Sequence, residues 1–251
     1  MNLKQLLFPK SRNRRRYSIA RGERWYAVGD IHGCHDLLNR LFELIDADDE
    51  HRGEADTRLI FLGDYIDRGS QSCRVVELMM KLDTGDNVVC LMGNHEETLM
   101  LVADGNRRAA TQFHKMGGRE TLLSYGVTAQ DYDNADAAGV VDLVRSAVPA
   151  DHIRWIRNLP SFHKVGDYLF VHAGIRPGLA LKDQLPSDLR WIRKDFLESP
   201  VQHGSMIIHG HSVSKQIDEQ PNRVGIDTGA YATGKLTAIG LEGTARWFLQ
   251  T

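Results

Sequence analysis

Five short polar clusters hold most of the chemistry this sequence could do. They are Gly29-Asp30-Ile31-His32-Gly33, Gly63-Asp64-Tyr65-Ile66-Asp67-Arg68-Gly69, Gly93-Asn94-His95-Glu96, His172-Ala173-Gly174 and His209-Gly210-His211. Imidazoles and carboxylates in this mixture suit manganese, iron or zinc, and the absence of cysteine from every cluster disfavours a structural zinc site. Asp30 and His32, two apart in an extended segment, can face one ion. Asp64 can bridge two ions with its two oxygens, and Asn94, His172 and His211 can complete the second. Two divalent cations so held activate a water and clamp a phosphoryl group for in-line attack. Arg68 stands four residues after Asp64, where its fork can meet phosphate oxygens, and Arg193 in Trp191-Ile192-Arg193 is a second clamp of the same kind. His95 follows Asn94, and Asp67 nearby would keep it protonated, the form that a general acid needs.

The elements that must position these clusters follow from hydrophobic pattern. Each cluster comes directly after an apolar run, and loops at the carboxyl ends of strands in α/β proteins converge on one crevice. Trp25–Val28, Leu59–Leu62 and Val88–Leu91 read as strands. Leu37, Leu38, Leu41, Phe42 and Ile45, then Val75, Val76, Leu78, Met79 and Leu82, follow helical spacing between them. The first ~95 residues therefore predict β-α-β-α-β. Residues 96–158 read as a helical cap, broken at Asp104-Gly105-Asn106, Gly117-Gly118 and Gly126. Strands return at Tyr168–Val171, Met206–Ile208, Val224–Ile226, Leu236–Leu241 and Arg246–Leu249, and suit a second sheet packed on the first.

Composition sets the outer bounds. The chain has 251 residues, 42% hydrophobic and 25% charged, which fits one globular domain with an insertion. No apolar run reaches the ~18 residues of a membrane span, and the opening lacks a signal-peptide pattern. Three cysteines, Cys34, Cys73 and Cys90, without a Cys-x-x-Cys pair, point to a reducing, cytoplasmic setting. The net charge of −2 hides an asymmetry: residues 1–24 carry eight basic side chains against one acid, and the rest 23 basic against 32 acidic. Residues 1–24 thus read as a basic arm, able to meet an anionic partner or to fold back on the acidic body, ahead of a catalytic domain over 25–251. His35, His51, His114, His152, His163 and His203 lack any such context and read as ordinary histidines.

Any one cluster alone is a weak signal; the ordered set at five strand ends is specific. Together they resemble the phosphoprotein phosphatase branch of the calcineurin-like metallophosphoesterases, bacterial and phage type, from about Trp25 to the C-terminus. The resemblance implies a β-sandwich flanked by helices around a dinuclear centre. It implies that Asp30, His32, Asp64, Asn94, His172 and His211 are ligands, that Arg68 clamps phosphate, and that His95 is the acid supported by Asp67. His211 is preferred to His209 because the family's Gly-His-[Ser/Thr] pattern matches Gly210-His211-Ser212. Gly225-Ile226-Asp227-Thr228-Gly229-Ala230 is also similar to phage-type members. One departure stands out: phage-type protein phosphatases usually carry arginine two residues before the asparagine, and here that residue is Met92. Arg176, four residues after His172, could replace it or serve a structural role beside Pro177. The resemblance implies a phosphoprotein substrate first, with serine, threonine or tyrosine phosphate, and a dinucleoside polyphosphate as the alternative. A non-catalytic binding module fits poorly with a complete ligand set.

Overall fold

Side-chain alternation sets the layers of this molecule, whose structure, a computed structural model, describes residues 17–251. In β1 (Glu23–Val28), Trp25 and Ala27 face one way, into a core shared with the second sheet, while Tyr26 and Val28 face the other, into a core shared with helices. β2 (Asp56–Phe61) and β3 (Val88–Cys90) pair parallel beyond β1, linked by α1 (His35–Arg52) and α2 (Ser72–Leu82). Leu38, Leu41 and Ile45 form the buried stripe of α1, and Val75, Val76 and Met79 that of α2. Each such fully buried side chain contributes roughly 1.5–3 kcal/mol.

Six helices follow β3: α3 (Asn94–Ala103), α4 (Arg107–Lys115), α5 (Gly118–Ser124), α6 (Ala129–Asp133), α7 (Ala137–Ala147) and α8 (Ala150–Asn158). The expected breaks fall between them. Asn106 caps α4 by accepting the N–H groups of Arg108 and Ala109 at 3.0 and 3.1 Å.

The second sheet has the order β4-β5-β6-β8-β7, from Phe162–Val165, Tyr168–Val171, Met206–His209, Arg223–Gly225 and Asp218–Glu219 respectively. Phe170, Ile208 and Val224 turn inward against Ile60, Leu62 and Leu91 of the first sheet. Leu169, Val171 and Ile207 turn outward against Leu189 of α9 (Pro186–Trp191) and Phe196 of α10 (Lys194–Leu197). The result is a two-sheet sandwich with helices on both outer faces. A last short helix, α11 (Ala230–Thr233), follows β8.

Three expectations need correction. β9 (Thr237–Glu242) and β10 (Ala245–Gln250) do not extend the second sheet; β9 pairs antiparallel with β1, and β10 with β9, in the first. Pattern alone assigns a strand's faces and leaves its neighbours open. The edge strands β4 and β7 were not expected; β7 spans two residues and has no periodicity to read. The arm's boundary also moves. Tyr17 and Ile19 lie in the inter-sheet core, and Arg24 is fully buried, bound to Asp49 at 2.7 Å and Glu242 at 2.9 Å. Residues 1–16 of the arm, and with them six of the eight basic residues read as able to meet an anionic partner, lie outside the described residues. Among the described residues no helix is long and apolar enough to cross a membrane.

Candidate functional site

The parallel strands β1, β2, β3, β5, β6 and β8 end at one rim, and the loop after each delivers polar side chains there. Their backbone is bent sharply. Among the described residues, the non-glycine residues with positive φ are His32 (46°), Asp64 (55°), Asp67 (71°), Arg68 (68°) and His211 (63°), all in these loops. Asp30 and His32 are therefore not in the extended segment expected of them; the chain turns at His32. Such conformations cost of order 1–3 kcal/mol each and persist only where the surroundings impose them. Glu96 imposes one: its carboxylate accepts N–H groups from Asp64 (2.8 Å), Tyr65 (2.8 Å), Ile66 (3.3 Å) and Gly93 (3.0 Å). Close approach imposes others. A Cβ on Gly93 would collide with Asp64, and one on Gly210 with the Asp30 carboxylate.

Asp64 sits at the centre, 2% exposed, with its two oxygens turned to different partners. Oδ1 lies 3.4 Å from His172 Nε2, and Oδ2 lies 3.5 Å from His32 Nε2 and 3.7 Å from His95 Nε2. His172 Nδ1 is 2.9 Å from the Leu62 carbonyl and His32 Nδ1 is 2.8 Å from the Ile66 carbonyl. A carbonyl accepts only, so each Nδ1 carries the proton and each Nε2 presents a lone pair to the cluster. Burial, the largest influence, pushes His32 down to about 3 and His211 down to about 2, and lowers His172, so all three are neutral. Asn94 Oδ1 faces His172 Nε2 at 2.9 Å and His211 Nδ1 at 2.8 Å. His32 Nε2 is buried and has no hydrogen-bond partner among the described residues.

Lone pairs thus face carboxylate and amide oxygens across short gaps, an arrangement that repels unless cations lie between them. Among the described residues two groups of close donors share Asp64: His32 with it on one side, where the His95 ring also comes near, and His172 and His211 on the other, and this donor chemistry fits divalent metals. Asp30 is 3% exposed, and its carboxylate accepts the His211 N–H at 3.0 Å. Burial, then Asp227 and Asp64, raise its carboxyl well above the usual range. Three crowded acids in a buried site are a further reason for cations there.

His95 differs from the other imidazoles. Its Nδ1 lies 2.6 Å from Asp67 Oδ2, and Thr121 Oγ1–H donates to Asp67 Oδ1 at 2.6 Å. Burial works to lower the His95 pKa, but Asp64 and Asp67 outweigh it and the net shift is upward. His95 is thereby suited to hold a proton rather than a metal. Arg68 Nη2 stands 3.3 Å from His95 Nε2, and its guanidinium lies 4.6 Å above the Tyr231 ring.

The structure brings Asp30, His32, Asp64, Asp67, Arg68, Asn94, His95, His172 and His211 to this one rim. Arg193 is exposed at the start of α10, and its charge is among those that lower His172 and His211. Arg176 does not join them: it forks onto Asp188 at 2.6 and 2.8 Å and meets Asp195 at 3.2 Å, which is its structural alternative. His209 turns away, its ring 5.1 Å from Phe196. Sequence reasoning missed Asp227, although it too follows a strand in Gly-Ile-Asp-Thr-Gly, a signal of the same form as the others. Thr121 and Tyr231 carried no signal, since only the folded cap and tail bring them in.

A family model described as calcineurin-like phosphoesterase matches residues 24–236. Curated relatives include the symmetrical bis(5'-nucleosyl)-tetraphosphatases of Methylococcus capsulatus (34% identical over 152 residues, 61% of this chain and 43% of that one) and Delftia acidovorans (31% over 186 residues, 69% and 55%). The chain spans about half the length of these relatives. Similar solved structures include a protein provisionally described as a diadenosine tetraphosphatase (TM-score 0.62, 18% identity, covering 93% of this chain and 98% of that one). Another is the cold-active protein-tyrosine phosphatase of a psychrophilic Shewanella (TM-score 0.53, 20% identity, 93% and 83%). At such identities these two likenesses concern the fold alone.

Proposed function

The chain belongs to the calcineurin-like phosphoesterase family, a family of hydrolases, and from that premise we propose that it hydrolyses dinucleoside polyphosphates at a two-metal centre. Asp30, His32, Asp64, Asn94, His172 and His211 would hold two divalent ions, with manganese the first choice and iron or zinc alternatives. When bound, the ions supply Lewis-acid activation of water and neutralise charge at the phosphoryl group. Arg68, with Arg193, orients phosphate oxygens. His95, held by Asp67, donates a proton to the departing oxygen.

The observation that carries the substrate choice is Met92. It is 5% exposed and takes the place where phage-type protein phosphatases usually have an arginine. A phosphomonoester carries about −1.5 to −2 charge near pH 7 and gains from every clamp arginine. An internal phosphoryl group of a polyphosphate chain carries less charge of its own, so the reacting phosphorus needs one clamp arginine fewer, although the chain as a whole is the more anionic. The names of the curated relatives agree. This reverses the order expected from sequence, which put a phosphoprotein first. The test is a panel at saturating Mn²⁺: diadenosine tetraphosphate, a phosphoserine peptide and p-nitrophenyl phosphate. The reading expects the dinucleotide to have the highest kcat/KM, with two molecules of ADP as product. A phosphopeptide preferred by tenfold or more would restore the protein-phosphatase reading.

A further inference from the structure

Two large aromatic side chains remain partly exposed at the rim, each beside a different histidine of the cluster. Trp191 is 37% exposed and Tyr231 is 41% exposed. Trp191 lies 6.4 Å from His211, and Tyr231 lies 5.4 Å from His32, each nearly edge-on. His211 and His32 belong to different halves of the ligand set, so each half has one aromatic neighbour. Neither ring is loosely placed. The Trp191 indole N–H donates to Glu97 Oε2 at 2.5 Å, and Glu97 Oε1 accepts from Arg190 at 2.6 Å. Glu97 lies in the first turn of α3, two residues after His95, so the helix that presents the proton donor also fixes the tryptophan. Tyr231 is fixed by the Arg68 guanidinium over its ring. Beside Trp191 runs a groove of about 360 Å³ of mixed charge, where Arg193 and Lys194 stand with Asp188 and Asp195, and both acids are engaged by Arg176. Exposed aromatics beside cationic side chains are what nucleobases stack on, and such stacking is tolerant of base identity.

We propose that Trp191 and Tyr231 are the two base-stacking platforms of the site, one for each nucleoside of a dinucleotide, and that Glu97 is the positioning residue for Trp191. This rests on the dinucleoside polyphosphate reading above, and it adds which residues recognise the bases. A substrate with a base at each end of its phosphate chain matches one aromatic beside each half of the ligand set.

The test compares kcat and KM for diadenosine tetraphosphate, inorganic tetraphosphate and p-nitrophenyl phosphate in wild type, Trp191→Ala, Trp191→Phe, Tyr231→Ala and Glu97→Gln. Removing one platform should raise KM for the dinucleotide roughly ten- to a hundredfold, as loss of one stacked base does. That rise should exceed any change on the two base-free substrates by at least tenfold. Trp191→Phe should recover most of the loss, and Glu97→Gln should shift KM more than kcat. Equal losses on all three substrates, or an unchanged dinucleotide KM in Trp191→Ala, would overturn the inference while leaving the dinucleotide activity standing. A wild type inactive on the dinucleotide would instead overturn the functional reading, and the platforms with it.

Discussion

The two oxygens of Asp64 face different histidines, 3.4 Å from His172 and 3.5 Å from His32, and this division makes it the shared ligand of the proposed site. At the same scale His95 is set apart by one contact, the 2.6 Å bond to Asp67. His95→Asn should therefore keep both metals and cut kcat by roughly 10²–10⁴-fold, the range of general acid catalysis. The loss should be smaller on p-nitrophenyl phosphate, whose leaving group departs without a proton. Equal losses would mean that His95 positions the phosphate and that the proton comes from elsewhere. His211→Ala should lose metal, whereas His209→Ala should lose less activity, because His209 faces Phe196 and Arg223 rather than the cluster. Metal content of the two purified variants distinguishes them, and the opposite pattern would exchange their roles.

At the scale of elements, the site depends on the helical insertion well beyond the helix that carries Asn94 and His95. Thr121 of α5 donates to Asp67 at 2.6 Å and accepts the Asp67 N–H at 2.8 Å, so the cap fixes the residue that orients His95. Thr121→Val should lower kcat about tenfold, equivalent to about 1.4 kcal/mol, at unchanged metal content, and Thr121→Ser should restore it. No effect on kcat would reduce Thr121 to a packing residue. These links explain what was legible beforehand. Every proposed ligand sits in a cluster of polar residues with glycine directly after an apolar run, so both its identity and its position could be read locally. Asp227 was legible in the same terms and was overlooked. Thr121, Tyr231 and the return of β9 to β1 depend on contacts between distant segments, and no local pattern encodes them. The left-handed turn at His32 was hidden for another reason: positive φ is uncommon at any non-glycine residue, and no local pattern marks this histidine for it.

Across the whole molecule, the sandwich is closed by both ends of the described chain. Tyr17 and Ile19 enter the inter-sheet core, and Trp247 of β10 covers α1 with Arg52 stacked 3.3 Å from its ring centre. Removing residues 1–16 should leave aryl phosphate hydrolysis within a few-fold. Removing 1–20 should lower Tm by on the order of 10 °C through loss of two buried side chains, and thermal melts of the two truncations decide this. Asp48 ties the same closure, accepting from Tyr26 (2.7 Å), Arg52 (2.8 Å) and Trp247 (2.7 Å). Burial acts to raise its carboxyl, but these three bonds outweigh it and the net shift is downward. A depressed carboxyl stabilises the fold above its unfolded pKa of about 4 and loses that contribution as pH falls through the folded value. Asp48→Asn should cost about 1–3 kcal/mol at pH 7, and the gap to wild type should close below about pH 4 in denaturant titrations. A gap that stayed constant with pH would remove the charge from this account. The central claim, that one buried carboxylate joins two metal sites, is tested most directly by counting ions. Metal-free protein titrated calorimetrically with Mn²⁺ should bind two ions per chain, and Asp64→Asn should bind neither tightly and be inactive. One ion per chain in wild type, or two tightly held ions and near-normal turnover in Asp64→Asn, would contradict it.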